Sequence, residues 1–208
     1  MSGFCYQDKY NLPMQSYLTS SCYIDWKTPA IKMQADSLSD GLTDDESISR
    51  NCFEWVRDNI QHSVDFKLNP ITCKASDVLK HKTGYCYAKS HLLAALLRAN
   101  GIPTGLCYQR LSVNDDGAPF CLHGLNAVYL KKHGWYRLDA RGNKTSVDAQ
   151  FCPPTEQLAF PINFIQEADL PEIWAEPLPV VISVLERYTT WQDVLANLPD
   201  IELLSSSG

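Results

Sequence analysis

The chain of 208 residues has no long apolar run, no Cys-x-x-Cys pair, no internal repeat and no basic cluster. Each absence removes a class of function. A membrane-spanning helix needs about 18 or more consecutive apolar residues; the longest apolar candidate here, Val180 to Leu185, suits only a short strand or a helix face. Met1 to Tyr10 carry no positive segment followed by an apolar one, so no secretory signal is expected. The eight cysteines, at positions 5, 22, 52, 73, 86, 107, 121 and 152, are spread singly. Without a secretory signal they are expected to be reduced thiols in a cytoplasm. Lys and Arg total 18 against 24 Asp and Glu, a net charge of −6. The densest basic run, Lys131-Lys132-His133, reads as a turn, so neither nucleic acid nor membrane is an expected partner. Oligomeric state is not legible.

What is present is the composition of a folded globular protein, 45% hydrophobic and 20% charged, with a length that fits one domain over 1–208. Residues 1–40 read as an N-terminal arm, with a short strand expected at Ser21 to Trp26 and a short helix at Ala30 to Leu38. Thr43-Asp44-Asp45-Glu46 has the spacing of a capping box, and Ile48, Cys52, Trp55, Val56 and Ile60 continue at helical intervals. Lys74 to Leu79 predicts a short helix and Thr104 to Leu111 a strand. Gly124 to Leu130 and Trp135 to Ala140 predict a hairpin around Lys131-Lys132-His133-Gly134. Residues 143–204 are punctuated by proline and read as a wrapping segment, with helices at Val180 to Tyr188 and Thr190 to Leu198. The tail 205–208 is expected to be disordered.

The most informative stretch runs from Thr83 to Gly101. Leu92, Leu93, Leu96 and Leu97 recur at helical spacing among alanines, and Gly101 followed by Pro103 is a stop. With Thr83 and Gly84 as capping residues, Cys86 falls in the first turn beside unpaired N–H groups, where the helix dipole favours a thiolate. A lone cysteine is more often a small buried hydrophobe, so this position gains meaning only from a base and an orienting group elsewhere in the fold.

His123 and Asp139 can supply them. His123 is expected one residue before a strand and Asp139 at the end of the next. A hairpin with three loop residues, which Gly134 favours, pairs Asp139 with Leu125 or Ala127, on the face of His123; loops of two or four residues give the opposite parity. Cys86, His123 and Asp139 follow one another across helix, strand and strand. This order resembles the core of the transglutaminase-like superfamily, whose members share a papain-like α+β fold. The segment Ala75 to Leu79 through Gly84-Tyr85-Cys86 to Ile102-Pro103 is similar to its cysteine motif, and Trp135-Tyr136-Arg137-Leu138-Asp139 to its aspartate motif. The motif core covers 75–142.

The resemblance implies an α+β fold with the catalytic helix packed on an antiparallel sheet. It also implies Cys86 as nucleophile, His123 as base and then acid, and Asp139 as the group that orients the imidazole. The implied reaction is attack on a carboxamide or peptide bond through a thioester, with a peptide or protein as substrate. Hydrolysis, as by a peptidase or amidase of bacterial type, is preferred over crosslinking; the alternatives are a protein-glutamine acyltransferase and a non-catalytic peptide-binding scaffold. In relatives a residue upstream of the cysteine adds a second oxyanion donor to the backbone N–H of Cys86. Here the candidates are Gln61, His62 and Asn69. Leu125 stands where relatives often carry an aromatic, which suggests a more open cleft wall. No cofactor is expected. A metal site built from Cys107, Cys121 and His123 with Cys86 or Cys73 would have a single close pair, where structural zinc sites usually have two.

Overall fold

The computed structural model describes residues 13–203. The first twelve residues of the expected arm and the expected tail at 205–208 lie outside this range. A single 3-10 turn, Met14–Leu18, precedes α1 (Pro29–Ser39) and α2 (Asp45–Asn59). Pro29 sits in the first turn of α1, where its missing N–H leaves nothing unpaired. The cap of α2 is Asp44, one residue later than the sequence suggests, and its carboxylate accepts from Ser47 N. Ser21 to Trp26, expected as a strand, is a run of bends and turns: Ser21 N donates to Ile24 O, and Ser21 Oγ accepts from Ile24 N, closing the segment on itself.

Next come β1 (Gln61–His62), α3 (Ala75–His81), β2 (Thr83–Gly84) and α4 (Cys86–Ala99). β1 and β2 pair in parallel, His62 opposite Gly84. The long strands β3 (Thr104–Ser112) and β4 (Phe120–Leu130) and the shorter β5 (Gly134–Leu138) form an antiparallel meander. After the small hairpin of β6 (Gln150–Cys152) and β7 (Thr155–Gln157), β8 (Ala168–Asp169) adds to the sheet, giving the order β5-β4-β3-β8. Two helices close the described chain, α5 (Pro179–Arg187) and α6 (Trp191–Leu195), the latter capped by Thr190 as its sequence suggests. The architecture is α+β, as expected.

The α4 helix is buried on every side from Cys86 to Arg98. Such a helix must be apolar all round or satisfy its polar groups internally. Arg98 does so by donating to Thr104 O, Thr19 O and Ala175 O, and His91 Nδ1 donates to Cys73 O at 2.7 Å. One side of α4 meets the sheet through Leu106, Tyr108, Leu122, Val128 and Leu130; the others meet α1, α2 and α3. The opposite face of the sheet buries a smaller cluster of Cys107, Leu125 and Ala127.

Candidate active site

Cys86 is the first residue of α4, behind Tyr85, an N-cap that offers no side-chain bond. Thr83 and Gly84 do not cap the helix; they form β2, which delivers the chain to Cys86 from beside β1. The sheet contributes the rest. β5 ends at Leu138, opposite Asn126, so β5 leaves the edge of β4 beyond Asn126 uncovered. The freed N–H of Gly124 donates to Cys86 Sγ at 3.4 Å. Gly124 is needed for this approach, because a Cβ there would lie 2.9 Å from the Tyr87 ring and 3.0 Å from Tyr87 Cα.

His123 lies inside β4, which begins at Phe120, rather than just before a strand, and Asp139 is one residue past the end of β5. The hairpin loop is Lys131 to His133, three residues, and Gly134 adopts φ 73°, the left-handed conformation that such a loop requires. The resulting parity puts His123 and Asp139 on one face, with His123 Nε2 2.7 Å from Asp139 Oδ2. Asp139 is fully buried and accepts two further bonds, from Arg141 N and Ala159 N, each 3.1 Å. Since Nε2 is committed to Asp139, Nδ1 is the nitrogen left for Cys86. Cys86, His123 and Asp139 are therefore brought together from α4, β4 and the end of β5.

Residues 32–140, just over half of the chain, match the model of the transglutaminase-like superfamily. The chain belongs to the transglutaminase-like superfamily. The fold of a candidate cysteine protease from Cytophaga hutchinsonii aligns with a TM-score of 0.51 at 20% identity, covering 62% of this chain and 42% of that one. The periplasmic domain of TgpA from Pseudomonas aeruginosa aligns at a TM-score of 0.45 and 16% identity, over 62% of this chain and 48% of that domain. A candidate protease from Parabacteroides distasonis gives 0.43 and 15%, over 72% and 32%. This transglutaminase-like chain thus spans less than half the length of each of these proteins. No curated protein matches it.

The electrostatics of this transglutaminase-like site separate its groups. Burial works against charge on His123, but the charges of Asp139 and Cys86, with hydrogen bonds to both, outweigh it and hold the imidazolium up to about 10. Burial likewise opposes the Asp139 carboxylate, yet His123 and the three hydrogen bonds keep it below the usual range. Cys121, on the same cleft, is pushed up by burial to about 12, as are Cys52, Cys73 and Cys107. All seven cysteines in the described residues are free.

A cleft of about 310 Å³ opens over Cys86 and His123. Of the three upstream candidates, His62 lines it, its ring 5.5 Å from that of Tyr85. Gln61 instead lines a neighbouring cavity, and Asn69 Oδ1 accepts from Trp191 N. Burial, and then the Arg141 charge, push His62 well below the ordinary histidine range, so this ring is neutral. Leu125, expected to leave the wall open, shares a face of β4 with His123 but packs further along it against Cys107 and Ala127 and does not line the cleft. That wall is supplied by Phe160, whose ring stands edge-on to His123 at 5.0 Å, and which came from a loop the sequence did not flag. Leu195 and Leu198 of the wrapping segment form another wall, fixed by Tyr85 Oη donating to Trp191 O and Leu122 N to Pro199 O. No helix among the described residues is long and apolar enough to cross a membrane.

Proposed function

We propose that this protein is a cysteine enzyme that transfers the acyl group of a carboxamide or peptide bond to water. The observation that carries the reading is the buried Asp139–His123 bond through Nε2, which turns the ring's other nitrogen to a cysteine at a helix start. Cys86 sulfur, its proton taken by His123, attacks the carbonyl carbon and the C–N bond breaks. The leaving amine or ammonia takes a proton from His123 as the thioester forms on Cys86. Water then attacks the thioester, giving up its proton to His123; the acid leaves and the thiol is restored. Asp139 holds the tautomer and stabilises the ring while it is charged. The oxyanion of each tetrahedral step is met by Cys86 N–H at the mouth of α4 and by His62, whose neutral ring keeps one N–H to donate.

Blocked peptides containing glutamine or asparagine, and unblocked peptide libraries, test this directly. Release of acid with ammonia or a new amine terminus, abolished in Cys86→Ala, is the expected result. A new amide formed only when a primary amine is supplied would instead make it a protein-glutamine acyltransferase. Peptide binding by wild type with no turnover under any of these conditions would leave a binding scaffold.

A further inference from the structure

The cleft is polarised. Beside His123 its wall is cationic: Arg141 donates through both terminal nitrogens to Asp65, and Lys144 Nζ donates to the same carboxylate at 3.0 Å. Two cations therefore share one anion. Arg141 also lies over the Phe160 ring, 5.6 Å from its centroid, which places its guanidinium one ring away from His123. Its Nε donates to nothing among the described residues, and Lys144, with 45% of its side chain exposed, keeps donors to spare. The field of this wall is felt nearby: Arg141 is the main charge depressing both His62 and the buried Lys89, after burial itself.

The other acidic groups of the cleft, Glu167 and Asp115, pair with neither cation. Glu167 keeps its charge but accepts from three backbone donors, Ser112 N, Asn163 N and Phe164 N, and Asp115 stands exposed on the turn between β3 and β4, where solvent screens it as it does Lys144. Leu111, Leu195 and Leu198 give the cleft an apolar wall as well. In a protein of net charge −6, Arg141 and Lys144 are two cationic donors on the wall of the cleft that holds the nucleophile, where an anion can be met.

We propose that the site takes its carboxamide next to a carboxylate, which docks on Arg141 and Lys144 while an apolar side chain occupies the leucine wall. The substrate class is then an acidic peptide. This rests on the acyl-transfer reading for the identity of the scissile group, and its test does not require turnover. The probes are blocked tetrapeptides with a central glutamine, leucine on one side and Glu, Gln or Lys on the other, in both orders. A further pair has a free or an amidated C-terminus. Binding is measured with Cys86→Ala at low salt, by calorimetry or fluorescence anisotropy.

A carboxylate peptide should bind about five- to tenfold more tightly than its neutral counterpart, and the lysine peptide should bind least. Lys144→Glu, at a half-exposed position where folding is not at stake, should remove or reverse the preference. Preference for the Glu peptide assigns the carboxylate to a side chain, and preference for the free C-terminus assigns it to a chain end. Equal affinities across the series, no binding by any peptide, or a preference unchanged in Lys144→Glu would overturn the proposal. Turnover of neutral and acidic peptides at one rate by wild type would leave the acyl-transfer reading standing without it.

Discussion

Replacing Asp139 by Asn isolates the orienting role, because every neighbour of that carboxylate is a donor. Oδ2 accepts from both His123 Nε2 and Ala159 N, and Oδ1 accepts from Arg141 N. An amide has one oxygen. If it takes the Oδ2 position, the NH₂ group faces Arg141 N–H, donor against donor; if it flips, the NH₂ group faces His123 and Ala159. At least one buried backbone N–H, that of Arg141 or of Ala159, is unpaired in either orientation, which costs about 1–3 kcal/mol, so Asp139→Asn folds with a lowered Tm rather than unfolding. Activity falls further. The negative charge that outweighs burial of the imidazolium is gone, and in the flipped orientation the ring is driven to the wrong tautomer. A loss in kcat of about 10²- to 10⁴-fold is expected on a carboxamide substrate, with KM little changed. Asp148→Asn is the control: Asp148 is exposed and bonds only to polar neighbours. Steady-state kinetics beside thermal melts separate the two effects. Full activity in a folded Asp139→Asn would refute the reasoning and turn attention to Asn143.

Three further outcomes follow from the same geometry. His62→Leu should lower kcat about 10²-fold with the fold intact, and His62→Gln, which restores a donor, should recover part of it. Gly124→Ala puts a methyl against the Tyr87 backbone, and should cost about 1–3 kcal/mol in denaturant unfolding and reduce activity as β4 moves off Cys86. Burial lowers His91 to about 4 and depresses His62 as well, so both bind protons in the unfolded chain before they do in the native one. Stability should therefore fall as pH drops from about 6.5 to about 4, and His91→Gln should shallow that slope; a slope unchanged in the variant would exclude His91 as its source.

Much of the core was legible because its signals are local. The leucine and alanine pattern of α4, the stop at Gly101, and Gly134 in a three-residue loop each dictate a backbone conformation that the neighbours then confirm. The hairpin parity that brings His123 onto the side of Asp139 follows from that one loop. What was not legible depends on distant pairing. β1 is two residues long, and nothing in Gln61-His62 announces a parallel partner at Thr83-Gly84. Ser21 to Trp26 has strand-like composition, but its own hydrogen bonds close it into turns. Phe160 reaches His123 only because residue 159 bonds Asp139, and Leu195 and Leu198 reach the cleft only because the last segment wraps back onto Tyr85 and Leu122. Such contacts are set by tertiary packing and carry no periodicity to read.

The claim that Cys86, His123 and Asp139 form an acyl-transfer site is tested most directly by trapping the acyl-enzyme. Wild-type protein is mixed with an activated ester or a peptide carboxamide, quenched in acid, and its intact mass and peptide map are recorded. The expected result is one acyl group per chain, on the peptide that contains Cys86, released by hydroxylamine as a thioester, strongly reduced in His123→Ala and absent in Cys86→Ala. Acylation of Cys121 or another thiol in its place, or carboxamide turnover that survives in Cys86→Ala, would contradict the account.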